Sequence, residues 1–420
     1  MSTTRSITRP VSPGRPASVA GRMPLAARLT LDHLQRLDQG VLHVELPDGS
    51  SRIHGRGERS ASMQIHDWAV FERVLRHGDI GFAEAYIDGQ WHTPDLTALL
   101  TLLAANRAAL DAPLYGSWLG RMAHRIAHLL RANTRTGSKR NIAAHYDLGN
   151  DFYALWLDPG MTYSSALFND GADSLEEAQE AKYRRIIGAL ELAPGSRLLE
   201  IGCGWGGLAE RCAAAGHHVT GVSLSRRQLD YATARLSHAG LTDHAQFEFR
   251  DYRDIRGQYD AVASIEMIEA VGERWWPAYF RKLASVLPQG GRAVVQSILI
   301  DDTLFERYRR GSDFIQQYVF PGGMLPSRTS FRASAAQAGL KVEAEFAFGS
   351  DYAKTLCIWR DSFNQKLQEV RQLGFDEAFI RLWNFYLMYC SAGFSERNID
   401  VVQFTLSHDA PTHSADALSA

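Results

Sequence analysis

The sequence is poor in cysteine, and nothing in the spacing pairs the four it has. Cys203, Cys212, Cys357 and Cys390 lie far apart with no C-x-x-C between them. This gives no zinc-site spacing and suits free thiols in a reducing compartment. Fifteen histidines include no H-E-x-x-H, and no metal is expected. The adjacent His217 and His218 precede a candidate strand, where a structural or exposed role suffices. Net charge is also missing: 45 basic and 47 acidic residues leave -2, so bulk charge points to no nucleic-acid partner. No apolar run is long enough to cross a bilayer. Residues 1–24 carry Arg5, Arg9, Arg15 and Arg22 without an acid or an apolar centre. They read as a disordered tail and not as a secretory signal.

What is present is an ordinary soluble composition, 45% hydrophobic and 22% charged over 420 residues, enough chain for two domains. Apolar residues at helical spacing predict a helix over 26–42. A strand over 41–46, a turn at Pro47–Ser50 and helices over 67–77 and 96–110 complete a small α+β domain at 25–111. It holds no catalytic constellation; lipid binding or dimerisation is its expected role.

Residues 112–146 lack Asp and Glu but carry Arg121, Arg125, Arg131, Arg135, Lys139 and Arg140. Trp118, Leu119, Met122, Ile126, Leu129 and Leu130 fall on one helical face opposite them. That pattern fits a linker helix over 112–140 lying on an anionic membrane. It equally fits an interdomain helix whose arginines are solvated.

From Glu191 onward strands and helices alternate, which implies a doubly wound, mostly parallel, Rossmann-like sheet at 141–410. Candidate strands are 197–201, 218–223, 245–250, 259–265 and 291–300, with helices at 207–215, 226–239 and 275–286. After Asp301 the pattern loosens to helical stretches at 305–319, 363–373 and 375–394. Residues 411–420 read as a disordered tail.

The chemistry centres on Ser196–Gly207. A short apolar strand ends at Glu200 and Ile201, and Gly202, Gly204, Gly206 and Gly207 bring bare backbone near a ligand. A carboxylate two residues before the first glycine repels a pyrophosphate and attracts an ammonium or sulfonium. Where a nicotinamide fold wants a ribose acid, the chain offers Ser223, Leu224 and Ser225. These residues point to S-adenosylmethionine. Glu200, Ser223, Asp251 and Glu266 all fall at carboxyl ends of strands, where such sheets bind ligands.

Several stretches, taken in order, resemble the cyclopropane-fatty-acyl-phospholipid synthase family, which includes the mycolic acid cyclopropane synthases. They are His145–Phe152, Met161–Ala166, Gly202–Gly207 with Trp205, Ser223–Ser225 with Gln228, Asp251–Asp254, Glu269 with Val271-Gly272, and Tyr318–Pro321. The Glu84, Tyr86, Asp88, Gly89, Trp91 cluster resembles the longer bacterial members. The resemblance implies a class I methyltransferase that transfers the methyl of S-adenosylmethionine to the double bond of an unsaturated phospholipid acyl chain, giving a cyclopropane. It places the enzyme in the cytoplasm, peripheral to the inner face of an anionic membrane, as a homodimer. It also implies cofactor contacts from Tyr163, Ser164, Glu200, Gly202, Gly204, Gly206, Ser223, Leu224, Ser225, Gln228, Asp251 and Tyr252.

An alkene is a poor nucleophile, so positioning carries much of the rate. Methyl transfer leaves a carbocation, which aromatic faces stabilise; Tyr163, Phe314, Tyr318, Phe320 and Tyr352 are candidates. In the family a bound bicarbonate removes the final proton. Its cradle maps to Ser165 where Cys is usual, Glu269, Gln296 where His is usual, Ile298 and Tyr318. Glu266 stands where Gly is usual. On a helical turn Glu266 would share a face with Glu269 and form a protein-based acid/base pair; otherwise it caps a helix or points to solvent. These departures leave a second product open, a methylene branch that a partner reductase would convert to a methyl branch. A methyltransferase for a soluble small molecule is a further reading.

Overall fold

The computed structural model describes residues 23–114, 148–168 and 172–408. The expected tails, the basic face from Arg121 to Arg140 and His145–Asp147 lie outside them. None of the described helices is long and apolar enough to cross a membrane.

The N-terminal part begins with α1 (Leu25–Leu34), which stops well short of Leu42. Gly40 opens β1 (Gly40–Glu45) at φ 138°, where a Cβ would press on the Arg59 carbonyl at 2.8 Å. β1 pairs with β2 (Ser51–Arg56) and, in parallel, with β3 (Ser60–Ile65); the short β4 (Trp91–His92) closes the order β2-β1-β3-β4. Leu42 and Val44 alternate inward, and α2 (Ala69–His77) and α3 (Asp79–Ile87) follow the sheet. The helix expected over 96–110 is two, α4 (Leu96–Ala105) and α5 (Arg107–Leu114). Buried Asn106 marks the break. Its Oδ1 accepts from the N–H groups of Asp38 and Gln39 (2.9 and 3.0 Å), and its Nδ2 donates to Leu102 O (2.9 Å). A side chain that serves the neighbouring loop competes with continuation of the helix.

After α6 (Asn150–Ala154), helix α7 (Leu175–Leu190) starts at a capping box in which Ser174 and Glu177 satisfy each other's backbone N–H. The sequence reading passes over this helix. The large sheet follows: β5 (Arg197–Ile201), α8 (Gly207–Ala214), β6 (His218–Ser223), α9 (Arg226–His238), β7 (Ala245–Phe249), β8 (Ala261–Ile265), α10 (Trp276–Val286) and β9 (Arg292–Ile300). These strands agree with the expected ones to within two residues at either end. Beyond α11 (Asp302–Tyr308) and α12 (Arg328–Gln337), two strands escape the sequence reading, β10 (Leu340–Ala347) and β11 (Ile399–His408). β11 inserts antiparallel between β9 and β10, so the seven strands run β10-β11-β9-β8-β5-β6-β7. The class is as expected, a doubly wound sheet of the class I methyltransferase type. β5 sits at the centre of the five parallel strands, pairing Glu200 with Gly221 on one side and Ala263 on the other.

Helices α13 (Gly349–Gln365), α14 (Leu367–Gln372) and α15 (Glu377–Ser395) bridge the two parts. One apolar cluster runs from Leu42 and Val44 of β1 through Phe152, Trp156 and Trp359 to Trp383 and Phe385. Phe152 stands edge-on to Trp383 at 5.1 Å. Rings this size each contribute roughly 1.5–3 kcal/mol of burial, so the N-terminal part is held by core contacts and not only by the chain.

Candidate active site

Glu200 ends the central strand with its side chain almost fully buried, 3% exposed. Oε2 has no hydrogen-bond partner. Burial pushes its carboxyl up to about 8, against the pull of Lys182. An orphaned carboxylate oxygen in a buried pocket asks for a cation. The pocket is a cavity of about 160 Å³ that also takes in Gly202, Gly204, Tyr163, Ser164, Ser223, Leu224, Gln228, Asp251 and Tyr252. Gly202 has φ 84°, and a Cβ there would meet Met267 Cγ at 2.9 Å; a larger residue would fill the cradle. Its lining combines the Glu200, Ser223, Gln228 and Asp251 side chains with the rings of Tyr163 and Tyr252, a mixture that suits a sulfonium-bearing nucleoside.

Two residues of the expected contact set lie behind the cavity wall. Gly206 takes φ 81° to start α8, packed against Ala232, where a Cβ would come to 2.9 Å. Ser225 caps α9, its Oγ accepting from Gln228 N (3.4 Å). Both shape the loop and neither lines it. Asp251 lines the cavity but already pairs with Arg253, at 2.8 and 2.6 Å. Trp205 donates to Asn150 Oδ1 (2.9 Å), tying the glycine loop to α6.

The second group of acids sits beside this pocket. Glu266 has φ 48°, the left-handed region where glycine is at ease and another residue is strained by about 1–3 kcal/mol. The turn after it is a short 3-10 turn, Ile268–Ala270, so the two glutamates do not share a helical face. They converge nonetheless. Glu266 Oε1 accepts from Ser165 N–H (2.9 Å) and Gln296 Nε2 (2.7 Å), and Oε2 accepts from Tyr352 OH (2.7 Å). Neither helix capping nor solvent exposure describes it. Glu269 Oε1 accepts from Ile298 N–H (2.5 Å), and Oε2 has no partner. Burial and the Glu266 charge push Glu269 up to about 8. Burial raises Glu266 too, but Tyr352, Ser165, Lys182 and Gln296 favour its ionised form. Of the two, Glu266 is the one whose ionised form its neighbours hold, and its charge disfavours a second on Glu269.

The expected bicarbonate does not fit. Ser165 N–H and Gln296 Nε2 already serve the protein's own carboxylate, Ile298 N–H serves Glu269, and two acids would face the anion. Ser165 Oγ turns away to donate to Ala166 O (3.0 Å), and Gln296 Oε1 accepts from Gln403 of β11 (3.0 Å); neither side chain lines a cavity. Tyr318 is the clearest correction. It is 42% exposed and its hydroxyl donates to Glu84, outside both cavities. The π-turn Ile315–Val319 carries it to the surface. Tyr352 supplies the phenol instead. The sequence reading counted it only among aromatic candidates, although Tyr352 and the unforeseen Lys182 both project from helix faces that are otherwise core.

A larger cavity, about 1060 Å³, opens on the other side of Glu266. Leu42, Val44, Met63 and Val70 of the N-terminal part and Leu356 and Phe385 of α13 and α15 wall it. Tyr163, Glu266 and Ala270 line both cavities, and Glu269, Ile298 and Tyr352 line the larger one. Phe320 also lines it; Phe314 is fully buried in the core. An apolar slot thus meets a polar cofactor pocket at one carboxylate.

A family described as mycolic acid cyclopropane synthetase matches residues 133–404. The chain is 38% identical over 403 residues to tuberculostearic acid methyltransferase UfaA1 of Mycobacterium tuberculosis, covering 93% of this chain and 94% of that one. It is 34% identical over 362 residues to the cyclopropane-fatty-acyl-phospholipid synthase of Escherichia coli, covering 84% and 89%. Among solved structures it resembles mycolic acid cyclopropane synthase CmaA1 complexed with SAH and CTAB, with a TM-score of 0.60 and 30% identity, over 64% of this chain and 98% of that one.

Proposed function

The chain belongs to the mycolic acid cyclopropane synthetase family and is an S-adenosylmethionine-dependent methyltransferase of lipid acyl chains; from that premise we propose that it methylates the double bond of an unsaturated phospholipid acyl chain to give a methylene branch, with Glu266 as the base. The observation that carries this reading is the Glu266 carboxylate, held by three donors at the meeting point of the two cavities. The cofactor supplies a methyl group as a cation equivalent, so transfer leaves a positive charge on the acyl chain. Glu200 holds the donor's charged end, and Leu224 and Tyr252 wall its apolar part. The slot aligns the alkene, and Tyr163 and Tyr352 line it on the side of Glu266. If a hydride shifts to the cationic carbon, the charge moves to the methyl-bearing carbon. Glu266 then takes a proton from the new methyl, and the electrons of the broken C–H bond form the C=CH2 double bond of the methylene branch. A reductase would complete a methyl branch. The name of the relative UfaA1 supports a branched product. The Escherichia coli relative favours the second reading, in which Glu266 takes the same proton before any hydride shift and a cyclopropane closes.

The test is incubation with cofactor and vesicles of a monounsaturated phospholipid, followed by proton NMR of the lipids. Methylene protons support the branch, and the high-field ring protons establish the cyclopropane instead. Depleting bicarbonate leaves the rate unchanged if Glu266 is the base. A rate that collapses on depletion and returns with added bicarbonate removes Glu266 from that role.

A further inference from the structure

Lys182 is the buried charge that neither cavity nor sequence motif explains. It lies in mid-α7 on the face formed by Ala178, Ala181 and Ile186, fully buried. A lysine in such a place is rare without a task. Its Nζ donates to Ser164 Oγ at 2.6 Å. One turn earlier, Gln179 Nε2 donates to Ser164 O at 3.0 Å. Together they fasten the 163–165 segment to α7. That segment is shared by both halves of the site: Tyr163 and Ser164 line the cofactor cavity, and Ser165 N–H donates to Glu266.

The bond goes to a neutral hydroxyl, so the ammonium acts through space on the acids around it. Those are Glu266 after β8, Glu200 at the end of β5, and Asp158 before the 163–165 segment. The Tyr183 ring lies 4.4 Å from Nζ on the same helix. Beyond Glu266 stand Glu269 and Tyr352; beyond Glu200 and Asp158 stand Arg235 and Arg211. The two arginines pair with Glu180 and Glu210, and Lys182 is the cation acting on Glu266.

We propose that Lys182 is a positioning residue of the methyl-transfer site: its ammonium fixes Ser164 at the cofactor wall and holds Glu266 ionised, ready to take the proton. This rests on the reading of Glu266 as the base. Electrostatics agree, since the lysine's own pull lowers Glu266 while burial pushes Lys182 down to about 8.

The test is the pH dependence of the rate at saturating cofactor and lipid for three variants. The wild-type rate falls on the acid side as Glu266 protonates. In Lys182→Met and Lys182→Gln, loss of the charge moves that acid limb up by about one to three pH units, the usual effect of one neighbouring charge, and raising the pH restores much of the rate. The glutamine keeps a donor for Ser164, which separates charge from fastening. Lys182→Arg keeps the limb where the wild type has it. A folded Met or Gln variant with an unmoved limb, whatever its plateau, overturns the proposal. So does an arginine variant whose limb rises, and that variant decides alone if the neutral ones do not fold. Infrared titration of the protonated-carboxyl band lost in Glu266→Gln reads the same shift without turnover. A protein that methylated no acyl chain would thus defeat the functional reading while this measurement still judged Lys182.

Discussion

Replacing Glu200 by Gln removes the charge that the orphaned Oε2 offers to the methyl donor while keeping the shape of the side chain. The carboxyl stands at about 8 without the cofactor. At pH 7 it is therefore about nine-tenths protonated, and binding a cation releases about 0.9 proton if Glu200 ionises in the complex. Below its pKa the dissociation constant should rise about tenfold per pH unit, each unit being about 1.4 kcal/mol of lost attraction. Well above it the full charge pair is available, and truncating one partner of a buried pair typically loses about 2–5 kcal/mol. Glu200→Gln should therefore weaken binding most at high pH, by roughly 30-fold or more, and less at pH 7, where deprotonation already consumes part of the gain. Isothermal calorimetry in two buffers of different ionisation heat reads both quantities. The wild type shows proton release and a sloped affinity, whereas the variant shows a flat affinity and a release smaller by the Glu200 share. An affinity equally flat in both proteins refutes the assignment of Glu200 to the donor's cationic end.

Two further perturbations probe the slot and the scaffold. Val44→Trp, in the wall of the larger cavity, should displace about two methylenes of substrate; at about 0.8 kcal/mol each, KM for long acyl chains rises about 15-fold while cofactor affinity holds, as steady-state kinetics and calorimetry will show. Asn106→Ala leaves the buried N–H groups of Asp38 and Gln39 without their acceptor and should lower unfolding stability by about 2–4 kcal/mol in denaturant titration, without moving cofactor affinity.

The parallel half of the large sheet and its glycine loop were legible in the sequence because they are local. A short apolar run followed by turn glycines specifies strand, loop and helix with little help from elsewhere. β10 and β11 were not. Leu340–Ala347 alternates apolar and charged residues within a region of helices, and β11 is fixed by two partners distant in the chain, β10 and, about a hundred residues away, β9. The site divided along the same line. Glu200, Gly202 and Ser223 were legible because a strand end places them, and Glu269 because its stretch resembles the family's. Tyr318 misled because an aromatic favoured by its resemblance to the family motif is carried by a π-turn to the surface. Tyr352 and Lys182 were invisible because each sits on a helix face patterned as core, and only the fold shows which groups that face meets. Glu266 could be singled out as a departure, but its left-handed backbone, the reason a glycine suits the position, belongs to the structure.

The two cavities also divide the labour between the two parts of the chain. Every residue lining the cofactor pocket falls between Met161 and Val271. The acyl slot takes one wall from residues 30–110 and the other from residues 163–399. A carbocation formed on the acyl chain would be captured by any water that reached it, giving an alcohol in place of an alkene or a ring. Leu42, Val44, Met63 and Val70 supply apolar wall to that slot, and none of them lines the cofactor pocket. The N-terminal part thus gives the slot an apolar wall that disfavours water beside a bound chain, while the sheet carries the cofactor pocket.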